Sequence, residues 1–282
     1  MNNLRRDALK TPLSHIIIIT LFCAGGVAIP LHYLFGLFIF DTLTVNLISG
    51  ITIRAILSVI AIIFIVKYGF TKPLKSTCGI VGYLLMIPAV LVCVNNAPLV
   101  GLISGEVQIT ASQINIALFV VYCLVIGIFE ETAFRGLVFP LALKVCEKRK
   151  YQTFWGVALS SAFFAVAHAI GFIGGNPLAV LLQIGYSFLI GAMCAISVLY
   201  TKNLYFAIFL HTVYDIGGLM TANIALGNQW DTLTIIITAI LGVIVCAYMI
   251  FALFKFDKKE IKPLYFSDEI SDTVDAEESK RV

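Results

Sequence analysis

The sequence predicts an all-α polytopic transmembrane helix bundle of about eight spans, with both termini in the cytoplasm. Three observations predict it. Of the 282 residues, 60% are hydrophobic and 12% charged, roughly half the charged fraction of a soluble domain; mean hydropathy is +0.99. Apolar runs of about 18 or more residues recur, each long enough to cross a bilayer as a helix. The basic residues segregate into alternate connecting stretches.

In chain order the predicted spans are 13–40, 51–66, 79–99, 113–143, 151–170, 178–200, 203–222 and 232–254. The first follows Arg5, Arg6 and Lys10. It is too long for the apolar region of a signal peptide, and "TLFC" is a poor lipoprotein cleavage box because Phe22 is large. It reads as a retained helix, with Pro30 placed to kink it. Lys and Arg occur before span 1 and after spans 2, 4, 6 and 8, as in Lys67, Lys72 and Lys75 or Lys148, Arg149 and Lys150. The stretches after spans 1, 3, 5 and 7 hold none, which places both chain ends inside by the positive-inside rule. Arg54 lies near the start of span 2 and is expected to snorkel to the interface. "GFIGGN", Gly171–Asn176, is a turn. These spans group as 1–112 (spans 1–3), 113–222 (spans 4–7), 223–262 (the last span) and 263–282, an acidic tail expected to be disordered.

Composition also excludes some functions. No basic patch is interleaved with aromatics, so nucleic acid is not an expected partner. The seven cysteines form no C-x-x-C pair and mostly fall in apolar runs. They read as small buried hydrophobes.

Inside the spans sit Glu130, Glu131 and Arg135 ("EETAFR"), His168 ("FAVAH"), and His211 with Asp215 ("HTVYD"). One charge near the bilayer centre costs roughly 2.5–3.5 kcal/mol on an insertion scale. Four unpaired charges would cost on the order of 10 kcal/mol, comparable to a domain's stability. Such groups must be paired, neutralised or hydrated, and they are functional candidates. At about 1.5 Å per residue, Glu130, His168 and Asp215 lie about 20, 25 and 18 Å from the cytoplasmic ends of their spans, with His211 at about 12 Å. One site near mid-membrane accommodates them. Glu131 and Arg135 are i,i+4 neighbours and can pair, while Glu130 faces away. Phe164 and His168 share a face in the same way, as do His211 and Asp215. His15 and His32 read as structural or interfacial.

Together these segments resemble the motifs E-E-x-x-x-R, F-x-x-x-H and H-x-x-x-N/D of the CPBP (Abi) family, the CAAX protease and bacteriocin-processing membrane proteins. All three occur in family order on separate spans, over roughly residues 113–222. The resemblance implies an intramembrane endopeptidase in which Glu130 and His168 activate a water and His211 with Asp215 stabilises the oxyanion. Glu131, Arg135 and Phe164 would then support the site. Many members carry Asn where this chain has Asp215. An amide donates a hydrogen bond, whereas a carboxylate donates only when protonated. Asp215 is therefore either a protonated donor or a partner of His211.

A zinc set of Glu130, His168 and His211 with an open position remains an alternative, although H-E-x-x-H is absent. Metal-independent water activation is favoured. The implied partners are the lipid bilayer and a peptide or protein substrate at the membrane, with leader or signalling peptides favoured over prenylated CAAX proteins. The implied location is a bacterial-type plasma membrane. The competing class is a non-proteolytic membrane partner, a bacteriocin-immunity or regulatory protein. A proton-relay transporter ranks third, since no paired broken helices are evident.

Overall fold

The computed structural model describes residues 3–39, 41–255 and 264–266. Its helices are α1 (Asn3–Lys10), α2 (Pro12–Val27), α3 (His32–Phe35), α4 (Thr42–Tyr68), α5 (Ile80–Leu84), α6 (Ile87–Asn95), α7 (Leu99–Ser104), α8 (Gln113–Ala133), α9 (Phe139–Val145), α10 (Gln152–Ala167), α11 (Pro177–Thr201), α12 (Leu204–Gly218), α13 (Met220–Asn223) and α14 (Thr232–Lys255). A short antiparallel pair, β1 (Gln108–Ile109) and β2 (Ala225–Leu226), ties the segment before α8 to the one after α13. The architecture is all-α. Among the described residues, six helical stretches are long and apolar enough to cross a membrane: Pro12–Phe35, Thr42–Tyr68, Gln113–Val145, Gln152–Phe172, Pro177–Thr201 and Thr232–Phe254.

The other two predicted spans take shorter forms. Span 79–99 is broken into α5, α6 and the start of α7. Pro88 lies in the first turn of α6 and offers no N–H to the Leu84 carbonyl, so α5 does not run on into α6. Span 203–222 becomes α12, 15 residues or about 22 Å. Pro30 lies in the break between α2 and α3, as a kinking proline should.

Span 51–66 begins nine residues earlier than expected, at Thr42. Asp41 caps α4 by accepting a hydrogen bond from the Thr44 backbone N–H at 2.9 Å, and Gly69, at φ 73°, closes it in the left-handed conformation. The polar residues of this first stretch hid it from a hydropathy reading. They find partners nearby: Ser49 donates to the Val45 carbonyl at 2.6 Å, and the Thr44 hydroxyl donates to Asp41 and lies 2.8 Å from Asn115 Oδ1 of α8. Arg54 therefore lies twelve residues, about 18 Å, into the helix, where it lines the cavity of the bundle.

Span 4 is continuous over 33 residues, but Phe134–Val138 forms a wider π-helical turn between α8 and α9. Pro140 offers no N–H to the Gly136 carbonyl, so a regular α-helix cannot pass through this point. α8 is the hub of the bundle, packed between α4 and α12, while α10 packs on α11. Gly127 permits the α8–α12 approach, because a Cβ there would lie 2.7 Å from the Thr212 hydroxyl and 3.1 Å from the Ile208 carbonyl. Large apolar side chains on the outer faces, such as Leu21, Ile103 and Val243, are exposed and suit contact with lipid.

Leu264, Tyr265 and Phe266 are buried against the bundle. Arg5 donates to the Tyr265 carbonyl at 3.2 Å, so both ends of the described chain meet at one end of the bundle. The rest of the acidic tail, expected to be disordered, lies outside the described residues.

Candidate active site

The two adjacent glutamates of α8 have opposite surroundings. Glu131 is fully buried, at 0% side-chain exposure. Its Oε1 accepts from Arg135 Nη1 at 2.9 Å and from the ring N–H at His211 Nδ1 at 2.6 Å. Arg135 Nη2 donates to the Gly191 carbonyl of α11 at 2.9 Å. Its guanidinium lies 4.5 Å from the centroid of the Phe164 ring, a cation–π contact. Phe164 in turn meets His168 and His211 edge-on, with ring centroids 5.0 and 5.9 Å away. The expected Glu131–Arg135 pair is thus present, and it fastens four elements, α8, α10, α11 and α12, into one polar knot.

Glu130 faces the other way. It lines a cavity of about 790 Å³ together with His168, His211, Asp215 and Phe164. Its Oε2 lies 3.5 Å from His211 Nε2, and Asp215 Oδ2 lies 3.6 Å from the same nitrogen. Neither separation is a formed hydrogen bond. His168 begins the short 3₁₀ turn after α10. Its Nδ1 is 2.9 Å from the Phe164 carbonyl. A carbonyl only accepts, so Nδ1 carries the proton and a neutral His168 keeps its Nε2 lone pair free.

All seven residues singled out in the sequence therefore gather at one place, with Glu130, His168, His211 and Asp215 on the cavity and Glu131 and Arg135 behind its wall. What the sequence did not reveal is that His211 Nδ1 is held by Glu131 rather than by Asp215. Helical spacing pairs residues within a helix and is silent about partners 80 positions apart. Cys194 was also missed. Glu131, Cys194 and His211, all buried, bring potential ligand atoms within 4.8 Å of one another, a different set from the zinc alternative of Glu130, His168 and His211. Glu131 Oε1 is taken by the Arg135 guanidinium and a ring N–H, and Oε2 is buried without a hydrogen-bond partner.

The fold and the site define a multi-pass membrane protein whose buried carboxylates and imidazoles converge on a cavity. Residues 112–217, from the cap of α8 almost to the end of α12, match the family model of the type II CAAX prenyl endopeptidase Rce1-like proteins. That segment is similar to the CPBP family of membrane proteases. No curated protein and no solved structure matches the chain.

Proposed function

We propose that the protein is an intramembrane endopeptidase that cleaves membrane-associated peptides or proteins, with Glu130 as general base. The observation that carries this reading is the contrast within α8: Glu131 is sealed in an ion pair, whereas Glu130 opens on a cavity shared with two histidines. In the proposed reaction a water donates one hydrogen bond to Glu130 and another to the free Nε2 of His168. Glu130 takes the proton as the water oxygen attacks the peptide carbonyl carbon. The resulting oxyanion accepts from His211 Nε2–H, which requires an imidazolium because Nδ1–H is already committed to Glu131. Glu130 then passes its proton to the leaving nitrogen as the C–N bond breaks. Asp215 supports the oxyanion site beside His211.

Water activation without a metal is the favoured form of this reading, and zinc held by Glu130, His168 and His211 is the alternative. Leader or signalling peptides in a bacterial-type plasma membrane are the favoured substrates. The deciding experiment compares the wild type, Glu130→Ala and His168→Ala in proteoliposomes against a peptide library, with and without a chelator. Processing by the wild type alone is expected, unaffected by chelation. Equal processing by all three removes the assignment, and chelator sensitivity replaces the metal-free form with the zinc form.

A further inference from the structure

The cavity that holds Glu130 has two unlike ends. Along α14 it runs from Thr238 to Leu253, about 22 Å of helix. At one end its wall carries amides and a hydroxyl: Asn95 and Asn96 at the close of α6, Gln183 near the start of α11, and Thr238 near the start of α14. These groups lie at one level of the bundle. Asn95 Nδ2 donates to the Thr238 hydroxyl at 2.7 Å. Asn96 Nδ2 donates at 2.8 Å to the α12 carbonyl of Tyr214, the residue before Asp215. Ile170, Tyr186 and Trp230 complete this end and are 37, 45 and 43% exposed.

Toward the other end the wall is apolar and closed. Val157, Met193, Ile196, Val245, Met249 and Leu253 line it, and none is more than 6% exposed. The exposed side chains at this depth, Leu189 and Ile250, are apolar and suit contact with lipid. The two ends differ in charge as well. The connections at the polar end, 28–41, 96–112, 168–176 and 219–231, hold no Lys or Arg, whereas those at the apolar end hold Lys67, Lys72 and Lys75 and the run Lys148, Arg149 and Lys150. By the positive-inside rule the lysine-rich end is the cytoplasmic one.

We propose that the cavity takes its water from the face opposite the lysine-rich one, so that the protein cleaves peptides whose scissile bond is presented from the non-cytoplasmic side of the membrane. The substrate class rests on the peptide hydrolysis proposed above; the route of the water does not. Each hydrolysis consumes one water, whose O–H and oxygen end up on the two new termini. A buried water needs about two to four polar partners. Asn95, Asn96, Gln183 and Thr238 supply such partners from the outer end down to Asp215 and His211. On α14 the stretch from Val245 to Leu253, about 12 Å long, offers only apolar side chains and the weak donor Cys246. Water that enters at the lysine-rich face would have to cross that stretch.

Introduced thiols read the route without any substrate. Ile126→Cys and Ala167→Cys place thiols on the cavity wall, one a turn before Glu130 and the other beside His168. Lys148→Cys marks the lysine-rich face. Each full-length variant is held in sealed vesicles of either orientation and treated with a small membrane-impermeant thiol reagent. Labelling is read as a mass shift beyond that of the wild type, whose seven cysteines set the background. Where Lys148→Cys is protected, both cavity thiols are expected to label; where Lys148→Cys labels, both are expected to lose their labelling. Cavity labelling from the Lys148 face, or from neither face, overturns the proposal, and the two reporters guard against one variant failing to fold. Membrane-impermeant peptides added to one side of the same vesicles then test the substrate class with the wild type. Cleavage is expected only from the side that labels the cavity. Cleavage from the Lys148 face alone overturns the substrate class. If neither side gives cleavage, the protease reading fails and the labelling still decides the route of the water.

Discussion

Glu130 and Glu131 are neighbours in sequence and belong to two different regions of the molecule. Behind the cavity wall, Glu131, Arg135, His211 Nδ1 and the Gly191 carbonyl are joined by charge-assisted hydrogen bonds, with Glu131 Oε2 and Arg135 Nε left without partners. On the cavity face, Glu130, His168 Nε2, His211 Nε2 and Asp215 approach one another without closing a hydrogen bond. The first arrangement uses its charges to hold helices together. The second leaves donors and acceptors free for something that enters. His211 belongs to both, with one nitrogen in each region, so the rigid cluster sets the aim of the open one.

Substitution at the two glutamates tests that division most directly. Glu130→Gln is expected to lower peptide cleavage by about 10²–10⁴-fold, the usual contribution of a general base, with a thermal unfolding temperature close to that of the wild type. Glu131→Ala is expected to act on the fold, because breaking a buried pair strands a charge at a cost of about 3–5 kcal/mol. Unfolding in detergent micelles reads this out. If Glu130→Gln unfolds as easily as Glu131→Ala, the cavity-facing set is structural too and the contrast disappears.

A smaller effect probes how the rigid cluster is supported. Tyr265 Oη donates to the Arg135 backbone carbonyl at 3.3 Å, within the π-helical turn. Tyr265→Phe removes one neutral hydrogen bond and should destabilise by about 0.5–1.5 kcal/mol. Unchanged stability would detach this end of the chain from the site. Asp215→Asn should change cleavage by less than about tenfold, below the loss of a charged hydrogen bond, because Glu131 already fixes the His211 ring. A steady-state assay that finds greater loss makes Asp215 a necessary partner of His211.

How much of this was legible in the sequence follows from the range of each interaction. The i,i+4 pair Glu131–Arg135 and the opposite facing of Glu130 are consequences of helical geometry, and the structure has both. The buried charges announced themselves by their cost in lipid. The Glu131–His211 bond, the Gly191 carbonyl and Cys194 depend on how separate helices dock, which periodicity does not encode. The start of α4 was missed because Thr42, Thr44, Asn46 and Ser49 dilute its hydropathy, while the capping role of Asp41 outweighs that dilution. The cavity that Arg54 lines is likewise made by docked helices and is not encoded in periodicity.

The mildest expected effect lies at the junction that corrected this reading, where α4 and α8 begin together. The Asp41 carboxylate accepts hydrogen bonds from the Thr44 hydroxyl, from the Thr44 backbone N–H at 2.9 Å and from Asn115 Nδ2 at 3.1 Å. These bonds hold its pKa below the ordinary aspartate value, led by the Thr44 side chain. A carboxyl whose pKa is lower in the folded state contributes stability above its unfolded pKa, about 4, and that contribution fades as pH falls through the folded value. Between about pH 6 and pH 3, thermal unfolding of the wild type should therefore fall toward that of Asp41→Asn, which has no carboxyl to protonate at this position. Parallel pH curves would show that the capping bonds do not fasten α4 to α8.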